Sequence, residues 1–468
     1  MNYSEQRQFL RQNQIWAAGL AVVLAVSAWA SVVAARSSAP SEVIPFTLVI
    51  IALAISLSYT PSYLHLTVNP EKAPRWEFRI RWRVLGAALI LGLIFSSGIG
   101  GRIIVMMAVA ALGAANMAAK AVVHQRFYAA YYWITDFTLL ATLLLAARCP
   151  LLLEAALLGA AAHLSIVVCQ KHCFAWAALV ALSASVLLLA AGRKLEQTQD
   201  INATLTAVAL VLASALASAW LAQRAQEHNA KNVTAAIAEL ADFTGYSEER
   251  IRNLWLTSNQ ELARNWQKAQ LAEDDREAMA QWYRDNSELY MFAISGYNLE
   301  YRRIRSNLYV LRFARGRCLD YGAGNGELLL EWARLGHAAM YYDVEGRSME
   351  FARRRARQRD LPLEFASTKE DLTAAARERG FDTVFSFDVL EHVPDLAGEL
   401  SFLSSLLSPG GRFMFDVPAG STKSHPMHLN HNLEVSSYMV NQGLAEERSF
   451  LQKLSFKKQE KYVFRARA

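Results

Sequence analysis

Eight apolar runs, near residues 15–34, 44–64, 84–101, 103–119, 127–147, 150–170, 174–191 and 201–222, crowd the first half of this 468-residue chain. Each approaches the ~20 residues a helix needs to cross a bilayer. In lipid the backbone has no water to bond to, so such runs must be helical. The 53% hydrophobic composition and positive mean hydropathy reflect this half of the chain. The runs predict an N-terminal all-α polytopic membrane bundle over residues 1–222 with about eight spans. A tight hairpin through Gly98, Ile99, Gly100, Gly101 and Arg102 leaves counts of seven or nine open.

Orientation follows from the basic loops, because Lys and Arg stay on the cytoplasmic side. Arg7 and Arg11 precede the first run, and Lys72, Arg75, Arg79, Arg81 and Arg83 lie between the second and third. The intervening loops carry only Arg36, Arg102 and Arg148. Eight spans then place Arg224 and everything after it in the cytoplasm, although Arg193 and Lys194 fit this less well. The expected location is a multi-pass protein of a bacterial inner (plasma) membrane. Ala28, Trp29 and Ala30 have the form of a signal-peptide cleavage site. The long stretch and the spans that follow favour a retained helix, and cleavage would leave the later residues inside all the same.

Cys149, Cys169, Cys173 and Cys318 form no paired framework of the secreted kind. Asp136, Glu154 and His163 fall inside expected spans, where polar groups need partners, and an inter-helix hydrogen bond is the simplest reading. Residues 223–314 read as a helical linker and substrate-cap region. Ser247 is the expected N-cap of an amphipathic helix running to about Gln270, and Glu273, Asp274 and Asp275 mark the next break. Trp282, Tyr283, Tyr290 and Tyr297 fit either a helical core or a surface facing a ring or prenyl chain.

From residue 315 the pattern changes. The apolar strand at Cys318 and Leu319 runs into Asp320, Tyr321, Gly322, Ala323, Gly324, Asn325 and Gly326. Glycines at this spacing make a tight turn whose backbone can approach a nucleotide-like ligand at a helix N-terminus. A second strand over 338–342 ends in Asp343, a carboxylate placed to accept hydrogen bonds from both hydroxyls of a ribose, with Glu345 nearby. A helix over 348–359 and strands over 361–366, 383–387 and 411–417 follow in the order a doubly wound sheet requires.

These residues, with Phe387, Asp388, Val389, Leu390, Glu391, His392 and Val393 at the end of the fourth strand, resemble the class I S-adenosylmethionine (SAM) methyltransferases over 315–468. The resemblance implies a Rossmann-like α/β methyltransferase with a seven-stranded sheet, its last hairpin supplied by 447–454 and 461–467. It also implies SAM as cofactor, bound by Asp320, Gly322, Gly324, Gly326, Asp343 and Asp388. The loop from Ser367 to Asp371 departs from the family by lacking an Asp-Ala pair that contacts adenine.

Methyl transfer from a sulfonium is an in-line displacement, governed mainly by alignment and exclusion of water. A hydroxyl acceptor needs a base, and His392 and His428 are the candidates, the latter within the histidine-rich loop after strand five. Asp388, Glu391 and His392 stand at i, i+3 and i+4 and would share one face of a helix beginning there. In the ubiquinone-pathway O-methyltransferases, which this motif resembles, the matching group binds a divalent metal; here the first position is Asp, and no residue is assigned as a metal ligand.

The net charge of +6 is concentrated in Arg302, Arg303, Arg305, Arg312, Arg315 and Arg317 and again in Arg353, Arg354, Arg355, Arg357 and Arg359. Beside a bilayer such charge favours anionic lipid over nucleic acid, with a plain solvated face an equal reading. Together these features describe a membrane-bound methyltransferase with a hydrophobic small-molecule or lipid acceptor: a quinone, a prenyl compound or a lipid headgroup. The alternative is a membrane sensor whose spans regulate a cytoplasmic methyltransferase acting on a soluble or protein target. The oligomeric state is not legible.

Overall fold

The computed structural model describes residues 3–35, 201–272, 274–418, 420–422, 425–447 and 461–467, with isolated residues between 103 and 110 and between 174 and 185. Apart from those isolated residues, the spans expected between 44 and 191, together with Asp136, Glu154, His163 and Cys149, Cys169 and Cys173, lie outside the described residues. The chain divides into two compact units, Ser4–Asn232 and Val233–Ala468, the latter joined by the first three residues.

In the first unit, α1 (Tyr3–Ala35) carries the first expected span, and the 44-residue α2 (Ile201–Thr244) carries the last. Trp16 meets Trp220 edge-on at 5.5 Å, Arg224 donates to Gln12 at 2.5 Å, and Gln6 lies 2.8 Å from His228. Rising numbers on one helix thus meet falling numbers on the other, so the two run antiparallel, with their polar ends together. A buried seam of Ala207, Val211, Ala215 and Ala219 lets α2 pack closely. Among the described residues one helix, Leu205–Thr244, is long and apolar enough to cross a membrane.

In the second unit α2 ends at Thr244. Ser247 then caps α3 (Glu248–Ala269), its side chain accepting from the Arg250 amide, as the sequence predicts. Asp275 does the same for α4 (Arg276–Asp285), and α5 (Ser287–Asn298) and α6 (Tyr301–Phe313) complete the helical segment ahead of the sheet.

The sheet follows. Its strands are β1 (Cys318–Tyr321), β2 (Ala339–Tyr342), β3 (Leu363–Ala366), β4 (Phe381–Ser386), β5 (Leu407–Asp416), β6 (Ala445–Glu446) and β7 (Lys461–Arg465). They lie in the order β3-β2-β1-β4-β5-β7-β6. The first five are mutually parallel, and β7 runs antiparallel to both β5 and β6. β1 is buried along its whole length and β4 almost so, as central parallel strands covered on both faces must be. Phe381, Val384, Phe413, Phe415 and Phe464 pack one core with Leu400 and Leu403 of α10 (Leu396–Ser405).

Between the strands run α7 (Glu327–Arg334), α8 (Arg347–Gln358) and α9 (Lys369–Glu378), and α11 (Val435–Asn441) precedes β6. The loop after β3 serves as a helix start, with Thr368 capping α9 through the Asp371 amide. β6 lies just before the stretch expected for it, of which residues 448–454 lie outside the described residues.

One local expectation fails. No α-helix begins at Asp388; a single 3-10 turn, Leu390–His392, follows it, and Asp388 itself has φ of +59°. Asp tolerates this left-handed geometry better than most residues. Asp388, Glu391 and His392 therefore do not share a helical face.

Candidate active site

At the carboxyl ends of β1 and β2 the chain turns through three glycines with positive φ, Gly322 at +79°, Gly324 at +54° and Gly326 at +68°. A β-carbon on Gly322 would lie 2.2 Å from Val389 Cγ2, and one on Gly324 would lie 2.9 Å from Ile294 Cδ1. Both dihedral and space thus demand glycine at Gly322. The amides of Gly322 and Ala323 bond to the Tyr342 carbonyl at 2.9 and 3.0 Å, fastening the turn to β2.

Asp343 closes the turn from the other side. Its Oδ2 accepts from the Gly324 amide at 2.6 Å and its Oδ1 from the Val344 amide at 2.8 Å. Tyr341 donates to the Gly324 carbonyl at 2.6 Å. Burial pushes the Asp343 carboxyl up to about 6, against the pull of the two amides. Asp320, at the foot of the turn, is also raised by burial, to about 7, although Arg303 opposes this. One small open cleft is lined by Asp320, Gly322, Ala323 and Phe387 on the sheet side and by Asn298 of α5 and Arg303 of α6.

Arg303 is the residue that sequence reasoning missed. It was one of six arginines in a basic run, and no spacing distinguishes it from its neighbours. Folded, its Nη1 lies 2.8 Å from Asp388 Oδ2, and it faces the cleft. A guanidinium there suits a ligand carboxylate. Other members of the basic clusters are also paired, Arg317 with Glu364 and Arg354 with Asp242. Asp388 borders the site but spends its carboxylate on Arg303, while its amide donates to Asp416 at 2.7 Å.

The two histidine candidates meet. Their rings lie 4.9 Å apart, because the Leu429 amide donates to the Glu391 carbonyl at 2.7 Å and draws the loop after β5 onto the 3-10 turn. His392 Nδ1 lies 3.2 Å from the Met427 carbonyl, which can only accept, so Nδ1 carries the proton and Nε2 is the basic nitrogen. Burial, with His428 beside it, lowers His392 to about 3; burial lowers His428 to about 4. Both are free bases at neutral pH. Tyr283 packs edge-on against His392 at 5.7 Å, and Trp282, Tyr290 and Trp266 gather behind it. Trp282, Tyr283 and Tyr290 are thus both a core and a wall of the histidine site.

The divalent metal implied by the resemblance can be tested against these atoms. Glu391, His392 and His428 place one ligand atom each within 4.8 Å of one another. Glu391 Oε2 is buried with no hydrogen-bond partner among the described residues, and burial raises its carboxyl to about 9. The donor set fits a divalent ion, and Asp388 is not part of it.

Part of the sequence matches known proteins. Residues 296–460 match a family described as a methyltransferase domain. Over 119 residues, 25% of this chain, the sequence is 36% identical to a ubiquinone biosynthesis O-methyltransferase of Cereibacter sphaeroides, covering 48% of that protein. Over 136 residues, 29% of the chain, it is 30% identical to a protein of the same name from Xanthomonas euvesicatoria pv. vesicatoria, covering 55% of it. A solved O-methyltransferase family protein of Burkholderia thailandensis is 16% identical, with a TM-score of 0.36 over 47% of this chain and 72% of that one. The chain spans about half the length of the curated relatives it matches. Residues 296–460 are a SAM-dependent methyltransferase domain.

Proposed function

We propose that the whole protein is a membrane-bound O-methyltransferase that moves the methyl group of SAM to a hydroxyl of a hydrophobic small molecule, a quinone-type compound foremost. The observation that carries the reading is the cleft that Gly322 and Ala323 of the glycine turn share with Arg303, while Asp343 holds the same turn from behind through the Gly324 amide. Asp343 would accept from the ribose hydroxyls, the turn would receive the adenosyl group, and Arg303 would pair with the methionine carboxylate. The chain's similarity to ubiquinone biosynthesis O-methyltransferases supports a quinone-type acceptor. The paired polar ends of α1 and α2 support an even number of crossings, with the catalytic residues on the cytoplasmic side.

Once an acceptor lies in line with the sulfonium, the protein has to align the two, exclude water and take one proton. His392 Nε2 is the base, its ring held by the Met427 carbonyl and walled from solvent by Tyr283. A divalent ion held by Glu391, His392 and His428 would occupy that same Nε2, and lowering the pKa of the acceptor hydroxyl would then replace the role of the His392 base.

The test supplies SAM labelled in its methyl group to membranes containing the full chain and follows the label. Label in the organic-extractable fraction is expected; label confined to water-soluble products removes the hydrophobic acceptor while leaving methyl transfer standing.

A further inference from the structure

Arg355 is buried in α8 and makes three charge-assisted bonds in three directions. Its Nη1 donates to the Asn325 carbonyl at 2.9 Å, its Nη2 to Glu327 Oε2 at 2.7 Å, and its Nε to Glu239 Oε2 at 3.1 Å. The first two partners belong to the glycine turn and to the helix it opens. The third does not: Glu239 lies in the last turns of α2, 57 residues before the stretch that matches the methyltransferase family. Arg359 also pairs with Glu239, and one turn further along α2 Asp242 accepts from Arg354 at 2.5 Å and Gln358 at 3.0 Å.

A planar guanidinium held at three edges cannot move without moving what it holds. Asn325 sits between Gly324, whose amide meets Asp343, and Gly326. The geometry points to Glu239 and Arg355 as positioning residues that set the glycine turn, so that cofactor affinity depends on the end of α2 as well as on the domain's own residues. This rests on the reading of the cleft as the SAM site. Withdrawal of Glu239 leaves a buried Nε–H without its acceptor and frees the guanidinium to swing toward Glu327, dragging the Asn325 carbonyl with it. The helix that begins in the apolar run near 201–222 therefore ends on the residue that shapes the cofactor turn.

The experiment titrates S-adenosylhomocysteine into the full chain in detergent, comparing wild type with Glu239→Ala, Glu239→Gln, Arg355→Lys and Asp343→Ala. Glu248→Ala, which removes only the exposed partner of Arg252, serves as the surface control. The expected result is a five- to tenfold weaker Kd for Glu239→Ala and Arg355→Lys, near-recovery in Glu239→Gln, which keeps an acceptor, and no change in Glu248→Ala. Hydrogen exchange should quicken over residues 320–327 in Glu239→Ala but stay unchanged over β5. A wild-type Kd for Glu239→Ala, or exchange quickened equally across the whole sheet, overturns the inference. If wild type fails to bind, or Asp343→Ala binds as wild type does, it is the cofactor reading itself that falls; loss in Asp343→Ala with none in Glu239→Ala removes the positioning role alone.

Discussion

The Gly324 amide donates to Asp343 Oδ2 at 2.6 Å, so the loop after β1 and the end of β2 are joined at the point where an adenosyl group would sit. Each carboxylate oxygen of Asp343 already holds one amide and retains a lone pair for a ribose hydroxyl. Asp343→Ala should weaken binding of S-adenosylhomocysteine by at least about tenfold, the cost of removing hydrogen bonds to a charged acceptor. Calorimetric titration of the full chain measures this, and an unchanged Kd would remove the ribose assignment.

Acid should weaken the same interaction. Burial raises Asp343 to about 6, so the carboxylate is protonated as pH falls through that value and loses acceptor capacity for the ribose. Affinity should therefore rise between pH 5 and 7, about tenfold at most per pH unit below the midpoint. His392 and His428, lowered to about 3 and 4, do not titrate in this window. Asp320 does, near 7, so the Asp343→Asn variant supplies the baseline. An identical slope in both proteins would assign the effect to another group.

Gly322→Ala should be more damaging than its size suggests. The added carbon meets Val389 on a backbone whose φ of +79° already disfavours any side chain, a cost of about 1–3 kcal/mol for the dihedral alone. A lowered thermal midpoint with lost cofactor binding is expected. Adding Val389→Ala relieves the contact but not the dihedral, so the double variant should recover only partly.

Replacing His392 by Gln should lower kcat by about 10² to 10⁴ fold while leaving the Kd for S-adenosylhomocysteine unchanged, the signature of a base outside the cofactor cleft. His428→Gln should act more weakly in metal-free buffer. If a divalent ion is used, removing it with a chelator should cost wild type activity and leave a Glu391→Gln variant indifferent.

Lys369 Nζ lies 2.6 Å from Glu399 Oε2, and Glu399, almost fully buried, also receives the Tyr321 hydroxyl. Lys369→Met should destabilise the domain by about 1–3 kcal/mol by stranding that acid. Adding Glu399→Gln should return part of the loss, as read from denaturant midpoints.

The sheet and the glycine turn were readable in the sequence because their signals are local. An apolar strand, a glycine spacing and an acid at the end of the next strand each fix backbone geometry within a few residues. Arg303 was hidden among neighbouring arginines because its role depends on where α6 packs, not on α6 itself. Asp388 misled for the opposite reason: an i, i+3, i+4 spacing describes a helix only if the backbone is helical, and a left-handed Asp interrupts it. His428 joins Glu391 through a loop bond that no pattern announces. Glu239 was invisible as a site residue because its partner lies in another element more than a hundred positions away.

The strand order carries a consequence for how the chain is born. β7 lies between β5 and β6, so β6 leaves the ribosome before the strand it pairs with exists. Until residues 461–465 emerge, β5 presents a bare row of backbone groups, and Phe464, wholly enclosed in the finished core, is missing from it. The newest strand is the keystone of the sheet, and a nascent protein paused short of it would be an open invitation to chaperones and to strand pairing with its neighbours.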